Sequence, residues 1–494
     1  MIRLLLALLG ALPCALLSVS LSVLLWAQPA GAKPCVDTWA EPEAFASGDD
    51  YAALRQSHPR APCTKRWTAL IYLAGDAQDL VAPMQANLAA LQTAGGSTAD
   101  LDVVVLHDDL GPGGLKRLHI YAGGAAEIGG DPSFTDETRP PEEILRRFLA
   151  WGVTEYPAEH TLVVLAGHGL GWRPTLPTPP PEAQQFDLKS KWGGFGFDAS
   201  NSTVLDTPAL RRALEAVVEG PRQGRPFDVV LSDACLMQSL EVATELADTT
   251  RYLGGSAQVQ PYVGLPYAPL LRRLRRPPTD PVDGCADGDG PCRVARQTAT
   301  LHQQALERAA SVEAVVKAQH TYAVLDTAQL RLRLLPALAT FADALADLIE
   351  RHPETSIDVG VVLGETPGFL GGTRDLGAFL NRIEQIHTAL RGGAFATVNT
   401  AARDARLALD TTVLNHALGS TYRSEDRYAG MKGLAVWLPM DEPDSQRRLD
   451  FFLQSRLHRT LGPAPGQTRG RWQRLLDLTF RPPVPAECGI CPTQ

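Results

Sequence analysis

Thr161-Leu162-Val163-Val164-Leu165-Ala166-Gly167-His168-Gly169 and Phe227-Asp228-Val229-Val230-Leu231-Ser232-Asp233-Ala234-Cys235-Leu236-Met237 decide the reading of this chain. Each is a short Val/Leu-rich run without polar alternation, the pattern of a strand buried on both faces. Each also delivers a reactive side chain at its end, His168 from the first and Cys235 from the second. Parallel strands of an open α/β sheet present their carboxyl ends along one rim, where the sites of such folds lie. A histidine and a cysteine on one rim are the parts of a thiolate–imidazole pair.

Around these runs, strands alternate with helices. Residues 67–73 and 102–106 read as core strands, and 116–121 as an edge strand by its alternation. Helices are expected near 80–92, 141–151 and 207–218; Pro141 opens the second, with Glu142 and Glu143 in its first turn. A helix at 239–246 and a strand at 252–258 follow the Cys235 run. This order predicts an α/β fold with a mostly parallel sheet and helices on both faces. Residues 296–316, 330–351 and 379–409 read as helices, and 356–363 and 433–439 as strands, forming a C-terminal α/β extension. The segment 173–196 is Pro-rich and then Gly-rich, so it is expected to be an exposed insertion.

A chain of 494 residues has room for more than one domain. Its net charge of −9, with no basic stripe bearing aromatics, argues against nucleic-acid binding. Arg3, the apolar run 4–26 and Ala30-Gly31-Ala32 read as a signal peptide over 1–32, hence a secreted or periplasmic protein. A membrane anchor is the alternative if that run is retained, and only then is membrane contact expected. Cys14 is a poor lipidation site, because Leu12 and Pro13 precede it. Seven cysteines remain after the signal. Six fall into sequence-local pairs, 35/63, 285/292 and 488/491, in polar or Pro/Gly-rich sequence where a disulfide would staple a loop. Cys235 is left as the free thiol. Residues 33–66 read as a prosegment or wrap, 67–275 as the catalytic domain, 276–293 as a linker loop, 294–461 as a C-terminal subdomain, and 462–494 as a Pro/Arg-rich, partly disordered tail.

These blocks resemble the clostripain family of cysteine peptidases, within the caspase–gingipain–legumain group. Residues 67–76 are similar to the family's opening strand and acidic turn. Gly167-His168-Gly169-Leu170-Gly171-Trp172 is similar to its His-Gly-x-Gly-Trp block, and Asp233-Ala234-Cys235-Leu236-Met237 with Glu241 is the most specific match. Ser256-Ala257-Gln258 with Pro261, Gly264 and Pro266-Tyr267, then Asp375-Leu376 and residues 433–439, resemble later blocks. Gly167 departs from the usual Asp or Asn, and Leu265 from a common Trp.

The resemblance implies a caspase-like fold and an endopeptidase with Cys235 as nucleophile and His168 as base and acid. No third member orienting the imidazole is evident, so a dyad is expected. A buried inert cysteine and a backbone-satisfied histidine are the bland alternatives. Main-chain N–H groups of Gly169 and Cys235 are the expected oxyanion donors. Asp233, two residues before Cys235 on a strand, borders the same pocket. In the family this position implies substrates with Arg, sometimes Lys, before the cut bond; a turn-capping Asp is the alternative. Ser256 and Asp375 are expected to line the cleft as well. Lys189 and Lys191, within the insertion, match that specificity and suggest self-cleavage between His168 and Cys235. No cofactor is required; the resemblance admits calcium, but the acidic loop 283–290 fails the EF-hand pattern because Cys285 and Arg296 stand at its first and last ligand positions. An inactive clostripain-like scaffold is the competing function. A serine esterase is disfavoured by the lack of a G-x-S-x-G elbow.

Overall fold

The computed structural model describes residues 64–110, 114–128, 139–172, 193–198, 203–276, 284–386, 393–440 and 445–480. The expected signal peptide, nearly all of the expected wrap, Lys189, Lys191, and the pairs 35/63 and 488/491 lie outside these residues. Among the described residues no helix is long and apolar enough to cross a membrane.

A nine-stranded sheet forms the centre. Its strands are β1 (Lys65–Ala74), β2 (Leu101–Asp108), β3 (Leu115–Tyr121), β4 (Gly124–Glu127), β5 (Ala158–Ala166), β9 (Phe227–Asp233), β10 (Thr250–Gly255), β11 (Thr321–Asp326) and β14 (Val413–Leu418). They run in the order β14-β11-β10-β9-β5-β1-β2-β3-β4. The five strands from β10 to β2 are mutually parallel; the outer four pair antiparallel.

Period-2 geometry sends alternate side chains of each strand to opposite faces. Leu70, Tyr72, Val163, Leu165 and Val230 enter one core with the helices Pro141–Glu155, Thr207–Glu219 and Leu335–Arg351. Ala69, Ile71, Leu73, Leu162, Val164 and Leu231 enter the other, with Val81–Thr93, Tyr267–Arg275 and Gly290–Arg308. Burying each Val or Leu side chain contributes about 1.5–3 kcal/mol. The apolar runs lack alternation because both faces are covered.

Several expectations need correction. The C-terminal α/β extension joins the central sheet rather than only following it in sequence, because β11 and β14 lengthen that sheet at one edge. The residues expected as a strand at 356–363 form the helix Thr355–Glu365, and the long helix expected at 379–409 is two, Leu376–Gln385 and Ala396–Thr412. Strand β3 is not an edge, because β4 pairs outside it. The insertion ends in β7 (Gly194–Asp198), which pairs with β6 (Gly169–Gly171) and β8 (Thr203–Leu205) and buries Phe195. The tail forms the helix Arg471–Phe480, with Trp472, Leu475 and Leu476 buried in the first core. A disulfide joins Cys285 to Cys292 at the first turn of Gly290–Arg308, so the expected linker already ends in helix.

The start of β1 carries a fully buried ion pair, Lys65 Nζ to Asp102 Oδ1 at 3.1 Å. The ammonium also donates to Thr98 O at 2.7 Å, and His119 Nε2 stands 3.5 Å from the same carboxylate. Removing one partner of such a pair strands a charge out of water. Asp102→Ala is therefore expected to cost about 3–5 kcal/mol in urea unfolding, and an Asp102→Leu/Lys65→Met double variant to recover much of it. A cost below about 1 kcal/mol for Asp102→Ala would contradict this reading of the pair.

Candidate active site

Strands β5 and β9 lie side by side with Ala166 opposite Asp233. The pairing continues one step further, where Gly167 N–H donates to Asp233 O at 3.2 Å. His168 and Cys235 each stand two residues past that matched pair, on strands about 4.8 Å apart. Both line a narrow pocket of about 30 Å³ together with Asp233, Gln260, Tyr262 and Gly264. That space holds a water or two and not an arginine side chain.

Cys235 sits on the turn after β9 and is partly exposed; it is the free cysteine among the described residues. Leu236, next in line, has φ +60°, a left-handed conformation that costs a branched residue about 1 kcal/mol. Strain of this kind persists where surroundings over-determine it. Here Leu236 N–H donates to Gln258 O and Gln238 N–H to Ser256 O, while Ala435 N–H donates to Gln238 O. The Cys235 sulfur accepts from Gln260 N–H at 3.2 Å. Burial pushes its thiol up to about 11, against the pull of that N–H. The sulfur therefore rests as a thiol.

His168 is largely buried, and its Nε2 lies 3.2 Å from an Asp79 carboxylate oxygen. Asp79 occupies the turn between β1 and Val81–Thr93, and it accepts a second hydrogen bond from Tyr262 O–H at 2.7 Å. The His168 contact is the main cause holding the Asp79 carboxyl down at about 2. Sequence reading missed Asp79, Gln260 and Tyr262. The available signal for Asp79 was an acid just past β1, the strand beside β5 in the sheet.

Asp233 is 6% exposed and lines the pocket. Its Oδ2 accepts from Leu265 N–H at 2.9 Å and Tyr267 O–H at 2.9 Å. Its Oδ1 has no hydrogen-bond partner among the described residues. Burial raises its carboxyl to about 6. Gly264 has φ +65°, and a Cβ there would lie 2.8 Å from Asp233 Oδ2, so only glycine lets this loop close over the carboxylate.

Ser256 and Asp375, expected in the cleft, do not line it. Ser256 is fully buried, its hydroxyl shared with Gln258 N and O and Thr321 Oγ1. Asp375 is fully buried too. It caps Leu376–Gln385 through Ala378 N and accepts from Lys432 N and Gly433 N. It thereby anchors a small sheet of β12 (Gly368–Phe369), β13 (Thr373–Asp375) and β15 (Ala435–Trp437). Other motif residues brace the same region: Glu241 Oε1 accepts from Trp437 N, and the Trp172 and Trp437 rings meet edge-on at 5.7 Å.

In the acidic loop after residue 283, the Asp289 carboxylate is engaged by protein donors, Cys292 N, Arg251 and Tyr252. Among the described residues no three His, Cys, Asp or Glu side chains gather to hold a metal.

A mostly parallel sheet that brings a histidine and a free cysteine to one rim, from adjacent strands, is the arrangement of a caspase-like cysteine peptidase. The clostripain family profile matches residues 71–359, more than half of the chain. The chain belongs to the clostripain family and is a cysteine peptidase. Comparison with curated proteins returns no match. Among solved structures, the fold is similar to a secreted C11 cysteine protease of Bacteroides thetaiotaomicron bound to an irreversible peptide inhibitor. Identity there is 16% and TM-score 0.51, over 79% of this chain and 96% of that one. It is also similar to an inactive zymogen C11 protease of Parabacteroides distasonis, at 17% identity and TM-score 0.52, over 82% and 100% of the two chains.

Gly169 packs directly on the cysteine turn: a Cβ there would lie 2.2 Å from Cys235 O and 3.0 Å from Cys235 N. Backbone would have to shift. Gly169→Ala is expected to lower kcat/KM on a peptide reporter about 100-fold, with the far-ultraviolet circular dichroism unchanged. Full activity in this variant would show that the turn has slack and that the close approach is unimportant.

Proposed function

We propose that this chain is an exported endopeptidase that cleaves after arginine, and also after lysine, in peptide and protein substrates. His168 withdraws the Cys235 proton as the sulfur attacks the scissile carbonyl. Main-chain N–H groups of Gly169 and Cys235 steady the oxyanion, and the imidazolium returns its proton to the leaving amine. Water then hydrolyses the thioester. No cofactor is needed for these steps.

The observation that carries this reading is the single pocket shared by His168, Cys235 and Asp233. A carboxylate with one oxygen tethered and the other unbonded is a fitting partner for a guanidinium or ammonium. The pocket's small volume suits a precursor that must open before a basic side chain enters. We assign that opening to self-cleavage at Lys189 or Lys191. The apolar segment 4–26 with its small-residue site supports export.

Turnover of short reporters ending in Arg or Lys tests this reading. Wild-type protein is expected to cleave them and not acidic or apolar counterparts. Asp233→Asn is expected to lose about 100-fold in kcat/KM on the Arg reporter. Because the Asp233 carboxyl sits near 6, it gains a proton and loses its charge as pH falls through that value. KM for the Arg reporter is therefore expected to rise below about pH 6. Cys235→Ala is expected to be inert and to remain a single chain. A folded wild-type protein that turns over no reporter would leave the fold as a binding scaffold.

A further inference from the structure

The peptidase reading gives His168 two proton transfers but leaves open what holds its ring in the right tautomer. Neutral imidazole carries one N–H and one lone pair, and the partner of one nitrogen decides the role of the other. In this chain the partner is Asp79, 3.2 Å from Nε2. The His168 side chain is only 14% exposed, so its ring is confined. Its Nδ1 has no hydrogen-bond partner among the described residues, and the ring borders the pocket that Cys235 also lines.

The sheet order explains how a carboxylate reaches this spot. Strand β1 is the neighbour of β5 on the side away from β9, with Leu73 opposite Ala166. Residues following β1 therefore flank His168 from one side, while Cys235 flanks it from the other. Tyr262 fixes the carboxylate in turn, donating to it at 2.7 Å from the loop whose Gln260 N–H holds the sulfur. One loop thus braces both ends of the row Asp79, His168, Cys235.

Resting on the peptidase reading above, we propose that Asp79 is a positioning residue that makes the expected dyad a three-membered row. Its carboxylate accepts a hydrogen bond from Nε2–H, which fixes the proton on that nitrogen and leaves the Nδ1 lone pair to take the proton from the Cys235 thiol. The imidazolium so formed keeps both its protons, one shared with Asp79, until Nδ1 gives its own to the departing amine; Asp79 stays ionised throughout. With its carboxyl held near 2, Asp79 is anionic at any working pH. A merely structural Asp79 would only tie its turn to Tyr262.

Asp79→Asn separates the two roles. Asparagine keeps the size and, with its oxygen accepting from Tyr262 O–H, turns its amide N–H toward Nε2, which reverses that hydrogen bond and favours the opposite tautomer. On an Arg reporter the expected result is a fall in kcat of about 10- to 100-fold with KM within about twofold, and an unchanged unfolding midpoint. Asp79→Ala, which cannot impose the wrong tautomer, is expected to lose kcat to the same extent or less. Tyr262→Phe is expected to lose only a few-fold. Wild-type kcat in Asp79→Asn, with reduced stability confined to Asp79→Ala, would overturn the positioning role and leave the peptidase reading standing. A wild-type protein without turnover would overturn both.

Discussion

The parallel register between β5 and β9 is the constraint on which the site depends. With Ala166 opposite Asp233, the residues two steps beyond each strand, His168 and Cys235, arrive at the same height on the rim. A slip of one residue would move every β5 side chain to the opposite face and take the imidazole with it. Leu162–Leu165 and Val229–Leu231 are fully buried on both faces, so such a slip would also have to repack two close-packed cores. Core packing therefore sets the geometry of the chemistry, although no core residue touches a substrate.

Around that register the resting site is closed and uncharged at its nucleophile. The thiol is pushed up to about 11 by burial, the Asp233 carboxyl to about 6 for the same reason, and Leu236 holds a left-handed backbone beside the sulfur. The loop from Gly255 to Pro266 holds this arrangement together. Gln260 N–H reaches the sulfur, Leu265 N–H reaches Asp233, and Tyr262 O–H reaches Asp79. Movement of that one loop would alter nucleophile, pocket floor and histidine partner together.

Much of this was legible in the sequence. The two apolar runs announced buried parallel strands, and His168, Cys235 and Asp233 at their ends do share a pocket. The odd cysteine count singled out Cys235, and the pair 285/292 is bonded. Other features were hidden for physical reasons. Val359, Val362 and Leu363 in 356–363 suit a buried strand as well as a helix face, and burial against neighbouring helices decided the matter. Ser256 and Asp375 were drawn to the cleft by their motif blocks, yet their oxygens are consumed by backbone and Thr321. Asp79 escaped notice because its partner comes from strand order, which one sequence does not reveal. Similarly, nothing in the Arg/Pro-rich composition after residue 462 pointed to the packing of Trp472, Leu475 and Leu476.

The most direct test of the site is covalent. The protein is treated with an arginine chloromethyl ketone, and the modified residue is located by mass spectrometry in wild type and in His168→Ala. One adduct on the Cys235 sulfur, formed quickly in wild type and at least about tenfold more slowly without the imidazole, is the expected result. Labelling elsewhere, or equal rates in the two proteins, would contradict a functional pairing of these two side chains.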